Sequence, residues 1–306
     1  MVETIGQRPL RSFVSDPIKY KISESDEPLI VQSGMIRKDK GIIVRDYKEL
    51  AYKVAMIQYK NPDYVFLYRG QSKDHKHYGY STIRAPIFRY IDPKDGRKFD
   101  RDVIYKNYSI LEKAEDQLVQ LYPHDEGRLR LRRQRILRWA ILQHYEVCDT
   151  PLLDVTQSLR IAASFASLGA DGYAYVYVMG FPSLGGPVTA ISEAELQLVR
   201  LSTACPPEAE RAHLQEGYLL SEYPEIGDAD QALDFKPTQL DFGKRVIAKF
   251  RFEPASFWER NAAFPKVPCS ALFPDQDDDF VRIMNTIRSE VRPGYGYSHP
   301  CEKYPG

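Results

Sequence analysis

Runs of β-branched and aromatic residues, set among long amphipathic helices, constrain the fold of this chain more than any other feature. The runs lie at residues 64–68, 172–179 and 245–252, and their composition is typical of strands. Residues 150–155 are predicted to form a further strand, short and buried. The last run alternates apolar and polar side chains, as a half-buried strand does. Strands and helices do not alternate strictly along the chain. We therefore predict an α+β fold with a mixed or antiparallel central sheet flanked by long helices.

Helical periodicity and capping residues predict the remaining elements. Asp46 followed by Glu49 fits a capping box, which predicts a helix that begins at Asp46. Residues 1–45 mix proline, serine and charge, so they are expected to form an irregular N-terminal arm before a single domain at 46–306. Further helices are predicted at residues 100–121, 126–145, 158–166, 192–201 and 280–291.

Composition excludes several classes of protein. The 306 residues are 43% hydrophobic, which is enough to bury a core, and 42 Lys and Arg balance 42 Asp and Glu. The chain lacks the overall positive field of a dedicated nucleic-acid binder, so any electrostatic site must be local. The sequence shows neither a signal core nor an apolar run of membrane-spanning length. A soluble, cytoplasmic protein is the expectation.

Cys148, Cys205, Cys269 and Cys301 are widely spaced along the chain. No two of them have the spacing of a zinc site or a redox motif. We therefore predict that all four are reduced, unpaired thiols and that the protein has no metal site.

The predicted helix at residues 126–145 has a strongly basic face opposite an apolar one. A face of this kind is either a solvated helix surface or a contact surface for a phosphate backbone or an acidic partner. Local charge alone leaves both interpretations open. The basic side chains are Arg128, Arg130, Arg132, Arg133, Arg135 and Arg138.

Three separated segments form the most distinctive pattern of the sequence. Their residues are Tyr68, Arg69, Gly70 and Gln71, then His144 and Tyr145 followed by Asp154, Thr156 and Ser158, and finally Arg211 with Gln215, Glu216 and Gly217. In this order and separation, the segments resemble the FRG-domain family, which is named for its aromatic-Arg-Gly signature. The resemblance extends from about residue 46 to 218. The family usually has Gly, Arg and Trp where this chain has Glu146, Pro151 and Val155.

The same segments are similar to those of ADP-ribosyltransferases, and this resemblance implies a related fold and a catalytic site. It implies that Arg69 contacts a phosphate or ribose of NAD, because a guanidinium offers several donors to an anion. Thr156 and Ser158 would orient the nicotinamide ribose. Gln215 or Glu216 would hold the ribose 2′-hydroxyl and stabilise the oxocarbenium ion, which a carboxylate does better than an amide.

Further residues are expected to line the NAD pocket, and several have a structural alternative. Asp154, within an apolar strand, requires a hydrogen bond or an ion pair, with Arg69 or Arg160 as the candidate partners. Arg69 is either a contact to the ligand or a buried arginine that bridges the strand ends to Asp154. His144 is either a packing residue at a helix end or a donor to the ligand. Gly70 is either part of the pocket or a turn residue that needs a positive φ. The expected lining residues are Tyr68, Arg69, Gly70, Gln71, His144, Tyr145, Asp154 and Ser158.

Two functions follow as hypotheses. The first is an ADP-ribosyltransferase or NAD glycohydrolase that uses NAD as its substrate, acts on a protein or nucleic-acid target, and serves as a toxin or an anti-phage defence effector. The second is a non-catalytic module that binds nucleic acid or protein through the arginines between Arg128 and Arg138.

Overall fold

The computed structural model describes residues 10–16, 27–123, 125–205, 212, 214–260, 263–273, 279–294 and 300–303. The strands are β1 (Leu10–Ser12), β2 (Leu29–Val31), β3 (Ile42–Ile43), β4 (Val65–Gln71), β5 (Lys76–His77), β6 (Tyr80–Ser81), β7 (Leu153–Thr156), β8 (Ala174–Phe181), β9 (Val188–Ile191), β10 (Leu196–Arg200), β11 (Gly217–Glu222) and β12 (Val246–Phe252). The α-helices are α1 (Ser33–Lys38), α2 (Tyr47–Lys60), α3 (Arg101–Leu121), α4 (Asp125–Arg133), α5 (Arg135–His144), α6 (Leu159–Ser167), α7 (Leu201–Ala204), α8 (Ala229–Leu233), α9 (Pro254–Glu259), α10 (Cys269–Leu272), α11 (Asp279–Val291) and α12 (Pro300–Lys303).

The central sheet of the described residues has eight strands in the order β3-β12-β8-β4-β7-β11-β10-β9. β3 and β12 are parallel, and the other neighbours are antiparallel. The predicted α+β fold with a mixed sheet is therefore confirmed. Across the described residues, the helices are all too short or too polar to span a membrane.

The central sheet splits between β4 and β7. Among the described residues, the two strands are joined by one residue pair, Tyr68 with Thr156. β4 continues beyond this pair to Gln71 along β8, while β7 pairs with β11 on its other side. Strands that part in this way leave backbone and side-chain groups facing an open space.

The predicted helices α2, α3 and α6 are confirmed. Each is capped by the side chain of the residue that directly precedes it. The Asp46 carboxylate accepts a hydrogen bond from the Glu49 amide at 2.9 Å at the start of α2. Asp100 caps α3 in the same way. The Ser158 hydroxyl accepts from the Ile161 amide at 3.4 Å and so caps α6. A cap satisfies amides that have no partner within the helix, which sets where the helix begins.

The single helix predicted at residues 126–145 is wrong. α4 ends at Arg133 and α5 begins at Arg135, because Gln134 is extended, with φ −123° and ψ 95°. The helical periodicity of the side chains continues across this break, so tertiary contacts decide it. Arg135 and Arg138 both bind the buried carboxylate of Glu115 on α3, at distances of 2.8–3.0 Å.

Two other predictions of local structure are also wrong. Residues 196–200 form β10, an interior strand of the sheet, where a short helix was predicted; only Ser192–Ala194 form a 3₁₀ turn. A short apolar run does not distinguish a strand from a buried helix. The described part of the N-terminal arm is regular: β1, β2 and α1 precede β3, which pairs with β12 at the sheet edge.

The cysteine prediction is corrected for one pair. Cys269 of α10 and Cys301 of α12 form a disulfide, with their Cα atoms 5.6 Å apart. The two residues are 32 positions apart in sequence, so only the tertiary structure brings them together. As predicted, Cys148 and Cys205 form no disulfide within the described residues, and both are buried.

Candidate functional site

A cleft of about 1020 Å³ opens at the split between β4 and β7. Its floor is formed by the ends of these two strands. The side walls come from α6, from the end of α5 and from the segment that ends α11. The predicted site residues that line the cleft are Tyr68, Arg69, Gly70, Gln71, His144, Asp154, Thr156 and Gln215.

The structure does not bring the other predicted site residues into the cleft lining. Tyr145 is buried in the core, and its carbonyl accepts a hydrogen bond from Arg288. Ser158 is the cap of α6. Glu216 is exposed, has a φ of 46°, and its carbonyl accepts from the Gln157 amide. Arg211 lies outside the described residues.

Arg69 lies half-buried on the floor of the cleft. Its Nη1 donates a hydrogen bond to the backbone carbonyl of Asp154, across the gap where the strands part. Burial, together with the nearby Arg89, lowers the pKa of Arg69 to about 10, and the carboxylate of Asp154 opposes this shift. The guanidinium is therefore still charged at neutral pH. Within the described residues, no carboxylate lies within ion-pair distance of it and its Nε has no partner.

The Asp154 carboxylate is hydrogen-bonded, as predicted, but by a residue that the sequence reasoning did not consider. Its Oδ2 accepts from the Gln143 Nε2 at 2.7 Å. The amide oxygen of Gln143 in turn accepts from the Thr150 hydroxyl at 2.8 Å. This chain joins the end of α5 to the start of β7. Gln143 directly precedes the His144-Tyr145 pair, and this position was the sequence signal that could have identified it as a residue of the site.

The Thr156 hydroxyl connects β7 to the turn before β11. It donates to the Gln215 carbonyl at 2.8 Å and accepts from the Ser158 amide at 3.0 Å. The Gln215 side chain is buried and donates through Nε2 to the Leu272 carbonyl at 2.8 Å. These contacts fix Thr156 and Gln215 in the cleft wall, and the catalytic roles assigned to them stay predictions.

Gly70 allows α6 to pack directly on β4. A Cβ at this position would lie 1.9 Å from the Ala162 carbonyl oxygen and 2.7 Å from the Ala166 nitrogen. Gly70 lies within β4 and is absent from the glycines of positive φ in the described chain. The interpretation of Gly70 as a turn residue is therefore wrong, because close backbone packing is what requires glycine here.

Sequence reasoning missed most of the charge in the cleft. Six cationic side chains and three carboxylates line it. Two carboxylates outside the lining pair with cations of this set, Asp74 with Lys76 at 3.5 Å and Asp241 with Arg84 at 3.8 Å, so the cations outnumber these carboxylates by six to five. One carboxylate, Asp149, pairs with Arg292 at 3.2 Å. No local signal marks this set, because its members come from distant parts of the chain. The cations are Arg69, Lys76, Arg84, Arg89, Arg288 and Arg292, and the carboxylates are Glu146, Asp149 and Asp154.

Cys148 also lines the cleft, but it is not an activated nucleophile. Burial raises the pKa of this thiol to about 12. The thiolate is the reactive form, and it is scarce at neutral pH when the pKa is this high.

The fold and the cleft define the class of this protein: an α+β protein with a cationic, ligand-sized cleft at a split in its sheet. A family model described as the FRG domain matches residues 64–171, so the predicted FRG resemblance is confirmed for this part of the chain. The matched region runs from β4 to just beyond α6 and ends before Gln215 and Glu216. No curated protein and no solved structure matches the chain.

Proposed function

We propose that this protein binds NAD in the cleft and uses it as a substrate for ADP-ribose transfer or for hydrolysis. The observation that carries the proposal is the state of Arg69. This half-buried, charged guanidinium makes a single hydrogen bond to the described protein and has no carboxylate partner there. A buried charge is costly unless it is paired, so an anionic ligand would complete the site.

The size and charge of the cleft support a dinucleotide. Its volume of about 1020 Å³ is at the upper end of the usual range for small-molecule sites. Arg69 and Arg89 are the cations of the lining for which the described residues show no ion pair, and their charge favours a ligand with a diphosphate. Arginine suits this task because its planar fork binds phosphate oxygens through two parallel hydrogen bonds.

The acceptor in the proposal is a protein or a nucleic acid that docks near α4. Arg135 and Arg138 are not available for such docking, because Glu115 binds both of them. Arg130, Arg132 and Arg133 of α4 remain exposed, and the contact surface we propose is limited to these three side chains. A toxin or defence effector that consumes NAD is the biological setting we propose.

Incubation of the protein with labelled NAD, alone and with a cell lysate, tests the proposal. We expect release of labelled product by the wild-type protein and transfer of label to lysate components. Arg69→Gln should lower kcat/KM for NAD by about 100-fold, because the variant loses the charged hydrogen-bond donors that would stabilise the negative charge of the dinucleotide in the transition state. Arg69→Lys should retain part of the activity, since it keeps the charge without the fork.

Arg97→Gln is the matched control, because Arg97 is exposed and lies outside the cleft lining. Circular dichroism and thermal unfolding should show that the Arg69 variants are folded. If the wild-type protein neither binds nor consumes NAD, or if Arg69→Gln consumes NAD at the wild-type rate, the proposal is wrong.

A further inference from the structure

One wall of the cleft is attached to a disulfide that the reaction proposed above does not use. Cys269 of α10 is bonded to Cys301 of α12, and neither cysteine lines the cleft. Phe273, the residue that directly follows α10, does line it. The disulfide therefore adjoins the cleft wall through α10 without contributing a side chain to the lining.

α10 supports the lining through two contacts. The Leu272 carbonyl accepts a hydrogen bond from the Gln215 Nε2 at 2.8 Å, and Gln215 lines the cleft. The ring of Phe273 packs edge-on against that of Phe165 on α6, with the ring centres 5.6 Å apart, and both residues belong to the lining. The position of α10 therefore affects where these three lining residues lie.

The apolar cluster around α10 is small and separate from the main core. A helix of four residues is not stable by itself, and α10 and α12 each have only four. Each of the two helices therefore depends on this cluster and on the disulfide. The described members of the cluster are Ile161, Leu168, Cys269, Leu272 and Phe273, with Phe165, Val267 and Cys301 packed against them.

The chain before α10 is attached to α6 independently of the disulfide. The Val267 amide donates to the Ser164 hydroxyl at 3.0 Å. The Trp258 Nε1 donates to the Ser167 hydroxyl at 2.9 Å. Neither contact involves a cysteine, so reduction of the disulfide leaves both pairs of partners intact. The part of the wall that depends on the disulfide is therefore α10 together with Phe273.

A reductant can reach the disulfide at one of its two sulfurs. Cys269 is buried, whereas Cys301 is partly exposed. Exchange begins when a thiolate attacks one sulfur of a disulfide. Attack of a dithiol on the Cys301 Sγ forms a mixed disulfide and releases Cys269 as a thiolate, which takes up a proton. The second thiol of the reductant then releases Cys301, so two electrons pass to the protein and the dithiol becomes a disulfide.

We propose that this disulfide is a redox switch for the cleft, in which the oxidised protein binds its ligand and reduction by a dithiol weakens binding through the release of α10. This inference rests on the proposed binding of NAD. Release of α10 removes the acceptor of Gln215 and the ring that packs against Phe165. The wall is then complete in only a fraction of the reduced molecules, and the apparent Kd rises by the inverse of that fraction.

The Kd for NAD, measured by isothermal titration calorimetry, tests the switch. The oxidised protein is compared with protein that has been reduced by dithiothreitol and then freed of reductant by gel filtration under nitrogen. We expect the Kd to rise by about 10-fold or more on reduction, which corresponds to a complete wall in about one molecule in ten. Cys301→Ser should bind NAD as weakly as the reduced wild-type protein, with or without dithiothreitol.

Cys205→Ala is the matched control. Cys205 is a buried cysteine outside the cleft lining, and it forms no disulfide within the described residues. This variant should keep the wild-type response to reduction. A response that is lost in Cys205→Ala and kept in Cys301→Ser would overturn the assignment of the switch to the bond between Cys269 and Cys301.

Hydrogen exchange separates this inference from the proposed function. The amides of Leu272 and Phe273 donate to the carbonyls of Pro268 and Cys269 at 3.1 and 2.8 Å, so they are protected while α10 is folded. Reduction should speed the exchange of these two amides and leave that of the β8 amides unchanged. If neither form of the protein binds NAD, the proposed function fails, and the exchange of α10 alone decides whether reduction releases this helix.

Equal Kd values for NAD in the oxidised and reduced forms overturn the inference, and so does exchange at α10 that does not respond to reduction. A lower melting temperature with an unchanged Kd is the result that a purely structural disulfide would give. Unfolding of the whole reduced protein at the assay temperature, detected by circular dichroism, also overturns the inference, because the bond would then stabilise the entire fold.

Discussion

At the scale of single residues, the candidate site depends on the contacts of Arg69 and Asp154. Arg69 was identified from the sequence because it belongs to the aromatic-Arg-Gly segment that resembles the FRG domain. Its acceptor was not identifiable, because Asp154 offers its carbonyl to Arg69 and its carboxylate to Gln143. The residue type alone predicted that Asp154 has a partner, but the choice of partner depends on where α5 ends relative to β7.

Gly70→Ala tests the close approach of α6 to β4. The new methyl group would meet backbone atoms of Ala162 and Ala166, which cannot rotate away. We expect the free energy of unfolding to fall by more than about 3 kcal/mol, because overpacking against backbone is harder to relieve than overpacking against side chains. Urea unfolding measures the change.

Gly185→Ala is the matched control for this substitution. A Cβ at Gly185 meets no atom within 4 Å, and its φ is not in the left-handed region. Its urea midpoint should be close to that of the wild-type protein. Equal midpoints for the two variants would show that the contact between Gly70 and α6 is not as close as described.

At the scale of elements, α10 is short but supports one wall of the cleft. Its Leu272 carbonyl accepts from Gln215, and the adjacent Phe273 packs edge-on against Phe165 with the ring centres 5.6 Å apart. The disulfide from Cys269 to Cys301 joins α10 to α12. The disulfide therefore stabilises this wall, although neither of its cysteines lines the cleft.

Cys301→Ser removes this bond. Opening a loop whose ends are 32 residues apart should lower the free energy of unfolding by about 3–4 kcal/mol, because the unfolded chain gains entropy. Dithiothreitol should destabilise the wild-type protein to a similar extent and leave the variant unchanged. An unfolding curve of the wild-type protein that does not respond to reductant would contradict the prediction.

For the whole molecule, the N-terminal segment is joined to the main sheet through buried charges. Arg37 of α1 donates to the Asp241 carboxylate at 2.7 Å and to the Ser81 carbonyl at 2.9 Å. The buried Lys249 of β12 donates to the Asp39 carbonyl and lies 3.2 Å from the Asp74 carboxylate. These contacts link the segment before residue 45 to the loop beside the cleft.

Arg37→Leu tests this connection. The Asp241 side chain is 1% exposed, so loss of Arg37 should lower the free energy of unfolding by about 3 kcal/mol. Arg45→Leu is the control, because Arg45 is 73% exposed in its pair with Glu49 and should change stability little. Thermal and urea unfolding compare the two. Similar stabilities for both variants would mean that the N-terminal segment lies outside the cooperative unit.

The sequence by itself determined the elements whose cause is local. α2, α3 and α6 begin where Asp46, Asp100 and Ser158 cap them, and the strongest strands follow their β-branched and aromatic composition. These features depend on residues within one or two turns, so they are visible in a single sequence. The FRG resemblance depends on the same kind of information, since it rests on short segments in a fixed order.

Only the tertiary structure decided the break at Gln134, the disulfide and the positive charge of the cleft. Arg84, Arg89, Arg288 and Arg292 line one cleft because Arg288 of α11 binds the turn at the end of α5. Glu115 of α3 binds Arg135 and Arg138 in α5, immediately after the break at Gln134 and about 20 residues away in sequence. Such contacts arise from the packing of elements that are far apart in the chain, and local periodicity carries no information about them.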